Sequence, residues 1–194
     1  MGLFDKVFKQ KNEQVQNGDA PKTDSPAGAP QKPEFENQLA GLYKQLAEQM
    51  VSMIPAQWSE LHYLGEVERN RQSCSSIFYF TDKASGDTVR SHDIPKIYNV
   101  SMQTYMKLLD ELSNILIAVY DCFAADGQEL WEQLSMKLSN TGSFKVDFNY
   151  DVMTEDDGGQ SRRELIWAHE TFGYVPKEGT RSRRILDEYV QSKS

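Results

Sequence analysis

Phe144-Lys145-Val146-Asp147-Phe148-Asn149-Tyr150-Asp151 is the stretch that decides the fold class. Successive side chains of a strand point to opposite faces. Phe144, Val146, Phe148 and Tyr150 therefore share one side, and Lys145, Asp147, Asn149 and Asp151 the other. Alternation this strict predicts a strand with one face on a core and one in water, as antiparallel sheets allow. Just upstream, Leu134, Met136 and Leu138 alternate with Gln133, Ser135 and Lys137, and Asn140-Thr141-Gly142 supplies a turn. Together the two runs predict a hairpin.

Toward the N-terminus the period changes. Tyr105, Leu108, Leu109, Leu112, Ile115, Leu116, Val119 and Phe123 form a broad helical stripe, with Ser101 placed to cap its start and Asp126-Gly127 to end it. A stripe of that width packs across a sheet; a coiled-coil seam would be narrower. Before it, Leu61, Tyr63 and Val67 suggest a first strand. Ile77-Phe78-Tyr79-Phe80, apolar on both faces, suggests a central, well-covered one. Gly86-Asp87 turns the chain into a short third strand near Thr88–Ser91, completing a meander. Phe35, Leu39, Leu42, Leu46, Met50 and Met53 predict an opening helix stopped by Pro55.

Downstream of the hairpin, Ser161 and Glu164 read as a capping box, each able to bond the other's backbone amide. It opens a helix through Phe172, with Gly173 suited to the left-handed closing position and Pro176 shortly after. Ile185, Leu186 and Tyr189 suggest one more short helix. The expected fold is α+β, in the order α-βββ-α-ββ-α. About five antiparallel strands, a βββ meander plus a β-hairpin, carry helices packed on one face. The domain is expected over residues 34–176, and residues 177–194 are a C-terminal tail. Residues 1–33, with Pro21, Pro26, Pro30 and Pro33 among Gln, Asn, Gly and Lys, read as a flexible tail. Leu3, Phe4, Val7 and Phe8 give its first residues a helical spacing.

The 194 residues carry a net charge of -8, unevenly spread. Residues 34–175 hold 22 acidic and 11 basic side chains, whereas the segments on either side are slightly basic. An acidic middle disfavours direct nucleic-acid binding and favours a basic partner, although acidity alone also suits an ordinary soluble surface. Two cysteines, Cys74 and Cys122, without metal or redox spacing, suit a reducing cytoplasm. The start Met1-Gly2-Leu3-Phe4-Asp5-Lys6 is too charged for a signal peptide, and Lys6 stands where myristoylation requires Ser or Thr. No run of apolar residues is long enough to span a bilayer, so no membrane contact is expected.

Catalytic constellations are hard to find. His62, His92 and His169 show no ligand spacing, and His92-Asp93, adjacent in an extended segment, would point apart. No phosphate loop or nucleophile elbow occurs. Glu155-Asp156-Asp157-Gly158-Gly159 lacks the alternating oxygens and fixed frame of a calcium loop; Asp147 and Asp151 would have to join it to hold a hard cation. The simpler reading is a solvated acidic loop. Arg181, Arg183 and Arg184 form a basic cluster without interleaved aromatics, which suits a helix surface better than a nucleic-acid interface.

Several segments together resemble the YezG/EsaG-like family of immunity proteins, antitoxins of bacterial nuclease toxins exported by type VII secretion. They are Ile54-Pro55-Ala56-Gln57-Trp58, Ile94-Pro95-Lys96-Ile97-Tyr98-Asn99-Val100-Ser101, the run Phe144–Tyr150, and the closing helix to Phe172-Gly173. The resemblance spans about Glu34 to Pro176 and implies a non-enzymatic cytoplasmic protein, without cofactor or metal, that binds a basic nuclease toxin domain. The expected partner-facing residues are Asp147, Asp151, Glu155, Asp156 and Asp157, with Glu66 and Glu68 of the first strand as outer candidates. Complementary charge accelerates association, while slow dissociation needs an apolar or aromatic anchor that the sequence does not assign. Alternatives are an adaptor or secretion chaperone acting through the N-terminal tail and, further off, a metal-dependent enzyme using the acidic cluster. Homodimer formation is left open.

Overall fold

Pro33 and the first-turn acids Glu34 and Glu36 open helix α1 (Pro33–Ser52), which buries Phe35, Leu46 and Met50. Pro fits the first helical turn because its missing N–H would have no partner there, and carboxylates favour the positive end of the helix dipole. The computed structural model describes residues 33–69, 71, 73–153 and 158–193. The tail assigned to residues 1–33, all but its last position, and the acidic triplet Glu155, Asp156 and Asp157 lie outside the described residues.

The chain forms two compact units that divide between Tyr150 and Asp151. In the first, α1 leads to strands β1 (Trp58–Val67), β2 (Cys74–Asp82) and β3 (Thr88–Arg90). A 3-10 turn (Ser91–Asp93) and a four-residue helix α2 (Ile94–Ile97) follow. Next come the long helix α3 (Met102–Ala125) and the hairpin β4 (Gln133–Ser139) and β5 (Phe144–Asn149). Ser101 caps α3 by accepting from the Thr104 N–H. The strands form one antiparallel sheet in the order β3-β2-β1-β4-β5, so the hairpin docks on the first strand and β1 becomes the centre. Ile77 to Phe80 of β2 are buried throughout, one strand off centre.

One face of the sheet meets α1 and α3. Tyr63, Val67, Phe78, Phe80, Leu134, Met136 and Leu138 join Leu46, Met50, Leu112, Leu116 and Val119 in a single core. Trp131, fully buried, stands edge-on to Tyr120 at 5.3 Å and to Phe123 at 6.2 Å, with Phe148 at 5.5 Å. Such geometry places positive ring edges on negative faces, adding to the burial energy. Gly65 of β1 faces Leu116: a Cβ there would lie 2.6 Å from the leucine Cδ1 and 2.7 Å from the Tyr63 hydroxyl. The opposite face is most open along the hairpin, where Lys145 and Asp147 are exposed. On β1 and β2 its side chains His62, Leu64, Glu66, Ile77 and Tyr79 are all buried.

The second unit begins at Asp151 and holds helices α4 (Gln160–Phe172) and α5 (Arg181–Ser192). The Ser161–Glu164 capping box is not formed. Gly158 and Gly159, both at positive φ, turn the chain so tightly that α4 starts at Gln160 with Gly159 as its cap, and Ser161 already lies inside the first turn. Arg162 and Arg163 N–H groups donate to the Gly159 carbonyl instead. At the other end Gly173 adopts the left-handed conformation and its N–H returns to the His169 carbonyl, as in a helix closed by glycine, while the Tyr174 N–H reaches the Ala168 carbonyl. Thr180 caps α5 by accepting from Arg183, and Glu170 of α4 takes both the Tyr189 hydroxyl of α5 and the ammonium of Lys193, the residue that closes α5.

The contact at Gly65 gives a first test. Gly65→Val forces two methyls into space held by Leu116, and overpacking of this kind costs about 1–3 kcal/mol. Thermal unfolding should show a clear drop in melting temperature, whereas a wild-type value would mean that α3 can lift off β1 freely.

Candidate functional site

Pairing of β4 with β5 sets Gln133 opposite Asn149, Ser135 opposite Asp147 and Lys137 opposite Lys145. Two lysines facing each other across strands repel unless each finds an acid. Lys137 reaches Glu60 of β1 at 2.5 Å, and Lys145 reaches Asp147 at 2.8 Å. The open face of the hairpin is therefore a line of alternating charge, and Asp147, 59% exposed, is its outermost carboxylate. Exposed pairs of this kind contribute little stability, so Asp147 is available to a stronger basic partner.

The other sequence-derived candidates separate. Asp151 is exposed and opens the second unit. Glu66 is only 4% exposed: it accepts from Gln133 Nε2 at 2.9 Å and Ser75 Oγ at 3.3 Å, linking the hairpin and β2 to the central strand. A group held so is a structural crosslink, which corrects its reading as a surface carboxylate. Glu68 lies half-buried just beyond β1, where its N–H donates to the Ser73 carbonyl and its own carbonyl accepts from Arg71.

The same end of the sheet holds a pairing that the sequence reading missed. Glu132, 2% exposed, meets the Arg69 guanidinium at 3.2 Å, and Arg69 also donates to the Tyr150 carbonyl. Arg71 bridges to Asp121 of α3 at 3.2 Å. These contacts join residues fifty or more positions apart, and no local spacing announces them.

The histidines sit in structural contacts. His92 Nδ1 lies 2.5 Å from the Tyr105 hydroxyl, with the rings edge to face. His169 Nδ1 lies 3.2 Å from the Tyr174 carbonyl at the close of α4. His62 Nε2 lies 3.1 Å from Glu60. Among the described residues no three His, Cys, Asp or Glu side chains come together in a metal-holding group. A surface cleft of about 160 Å³ is lined by Glu34, Phe35, Gln38, Cys122, Ala125 and Asp126, well below the roughly 300 Å³ of small ligand sites. Burial, aided by Asp126, pushes the Cys122 thiol up, away from the thiolate a nucleophile needs. Among the described residues no helix is long and apolar enough to cross a membrane.

The model of the family described as "Immunity protein YezG-like" matches residues 39–186. Immunity protein YezG of Bacillus spizizenii is 30% identical over 154 residues, covering 79% of this chain and 94% of that protein. Immunity protein YezG of Bacillus subtilis is 27% identical over 140 residues, 72% of this chain and 91% of its own. The type VII secretion system protein EsaG of Staphylococcus aureus is 24% identical over 159 residues, with coverage of 81% and 96%. The matched region takes in the core of the first unit, the hairpin with Asp147, and α4.

The Glu60–His62 contact generates a pH prediction. Burial is the largest influence on His62 and lowers its pKa from 6.5, with the Glu60 hydrogen bond opposing it. When the folded pKa is the lower one, the unfolded chain binds more protons as the medium acidifies, so stability falls as pH drops below about 6.5. His62→Gln removes this proton uptake. Its melting temperature should fall less than the wild type's between about pH 6.5 and 5; parallel curves would assign the slope to other groups.

Proposed function

Because the chain belongs to the family of YezG-like immunity proteins, we propose that it is the antitoxin of an exported nuclease toxin and acts by direct binding to the nuclease domain. Family membership is the observation that carries this reading, and the charge distribution supports it. A domain that cuts nucleic acid must hold a polyanion and so presents a basic surface. Residues 34–175, with 22 acidic against 11 basic side chains, offer that surface its complement. EsaG bears type VII secretion in its name, and export of the toxin by that route is part of the proposal.

The mechanism requires no chemistry from the antitoxin, only capture. We read it as a non-enzymatic protein of the producing cell's cytoplasm, where the toxin is made and the chromosome is exposed. Asp147, Asp151, Glu155, Asp156, Asp157 and Glu68 face basic groups of the toxin in this reading, while Glu66 acts beneath the surface by tying β4 and β2 to β1. Charges of this sort act mainly on encounter. Their attraction reaches about 8–10 Å through physiological salt and raises association rates by ten- to a thousandfold. They add less to the lifetime of the complex.

Two experiments test it. The chain should protect cells that express the nuclease encoded in the neighbouring reading frame and should co-purify with it; toxicity without a complex would refute the assignment. Rapid-mixing kinetics should show that Asp147→Lys combined with Asp151→Lys slows association about tenfold at low salt, with little change in dissociation. An association rate equal to wild type would remove both residues from the steering surface.

A further inference from the structure

A complex that must persist needs an apolar anchor as well as charge, and the first unit exposes one in a single short stretch. Among the unit's described residues the exposed large apolar side chains are Ile97 at 56%, Met102 at 59%, Met106 at 45% and Tyr150 at 38%. Three of the four lie within ten residues. Met102 and Met106, four apart on α3, sit one turn above each other on the same side. Ile97 ends α2, and the five residues to Met102 can span no more than about 17 Å.

The segment is held firmly from beneath. Ile94 is fully buried, and His92 contacts the Tyr105 hydroxyl of α3. The Tyr98 ring packs 6.2 Å from Phe80, and its hydroxyl donates to Asp82 at 2.5 Å. That bond is the largest influence holding the Asp82 carboxyl below its ordinary range; the Tyr98 hydroxyl is pushed up to about 12 by burial and then by Asp82. Asn99, at φ 55, makes the turn into the Ser101 cap, a conformation asparagine tolerates better than most residues. His92, Ile94 and Tyr98 are thus fixed to the core while Ile97 is exposed. An apolar side chain displayed by so rigid a segment costs a partner little ordering on binding.

The charges along the strip select its occupant. Asp93 stands four residues before Ile97, Asp110 four residues after Met106, and both are exposed. Lys107 pairs with Glu111 at 3.8 Å, leaving Lys96 as the strip's other flanking cation. Three acids against two lysines make a rim acidic by one charge. A second copy of this net-acidic chain would meet carboxylates with carboxylates there, whereas a basic surface meets them with its own sign reversed.

We propose that Ile97, Met102 and Met106 form the anchor against which the nuclease toxin domain docks, with Asp93 and Asp110 bracketing basic residues around its apolar pocket. The proposal rests on the antitoxin reading above. It divides the work of binding: the acidic surface sets how fast the toxin is caught, and the strip sets how long it is held. Methionine suits the second task, because its unbranched, polarisable side chain adapts to an irregular partner surface.

The test is surface plasmon resonance on the full chain and the nuclease domain of the neighbouring toxin. Ile97→Ser with Met102→Ser and Met106→Ser should raise the dissociation rate about a hundredfold and leave association within a few-fold. Asp93→Lys with Asp110→Lys should mainly slow association. All five positions are exposed, so melting temperatures should match wild type; if the triple variant melts lower, Met102→Ser and Met106→Ser singly carry the measurement. Unchanged dissociation overturns the anchor while leaving the antitoxin reading intact, and a wild-type chain that fails to bind the toxin overturns both. If sedimentation shows a wild-type dimer that the triple variant loses while toxin affinity is kept, the strip belongs to a second copy and the proposal falls.

Discussion

Helix α3 lies on β1 so closely that position 65 has no room for a side chain. The rest of the first unit follows from that approach. Leu116 enters the space over Gly65, which brings Leu112 and Val119, one turn to either side, down onto the strands. The helix is thereby fixed along its 24 residues. Its C-terminal half closes on the cluster of Trp131, Tyr120, Phe123 and Phe148, which seats the hairpin beside β1. Its N-terminal half receives His92 and supports the short helix from which Ile97 projects. Close packing transmits position, since a core this dense has no slack to absorb a shift.

Much of this architecture is legible in residue spacing. Period-two alternation finds β4 and β5 almost to the residue, and the stripe from Tyr105 to Phe123 finds α3 with its Ser101 cap. The capping box at Ser161 fails because the motif describes side-chain chemistry, while two consecutive positive-φ glycines had already turned the backbone into a helix two residues earlier. The 3-10 turn and α2 escape because seven residues are too few to show a period. His62 and Glu66 look wet by alternation yet are buried, since β1 is central and neighbouring side chains meet His62 Nε2 and the Glu66 carboxylate.

The functional surface is less legible, for a related reason. Spacing reports what lies on one face of one element, and a binding surface is assembled from several. Asp147 is where alternation puts it, but its pairing with Lys145 turns an acidic strand into a line of both signs. Glu132 and Arg69 come together only after β1 and the hairpin are folded side by side. The strip of Ile97, Met102 and Met106 joins the end of one helix to the beginning of the next, and neither segment alone distinguishes it from ordinary surface.

The sheet ends on β3, three residues long, and on β5, where Lys145 and Asp147 alternate along the outer face. Any protein made in quantity meets its own copies, and an open sheet border is where they can add. A long, uncharged terminal strand would then be a template on which one molecule adds to the next and fibrils grow. A short strand at one border and paired charges at the other deny that template. The paired Lys145 and Asp147 thus guard that border of the sheet against further copies of the chain.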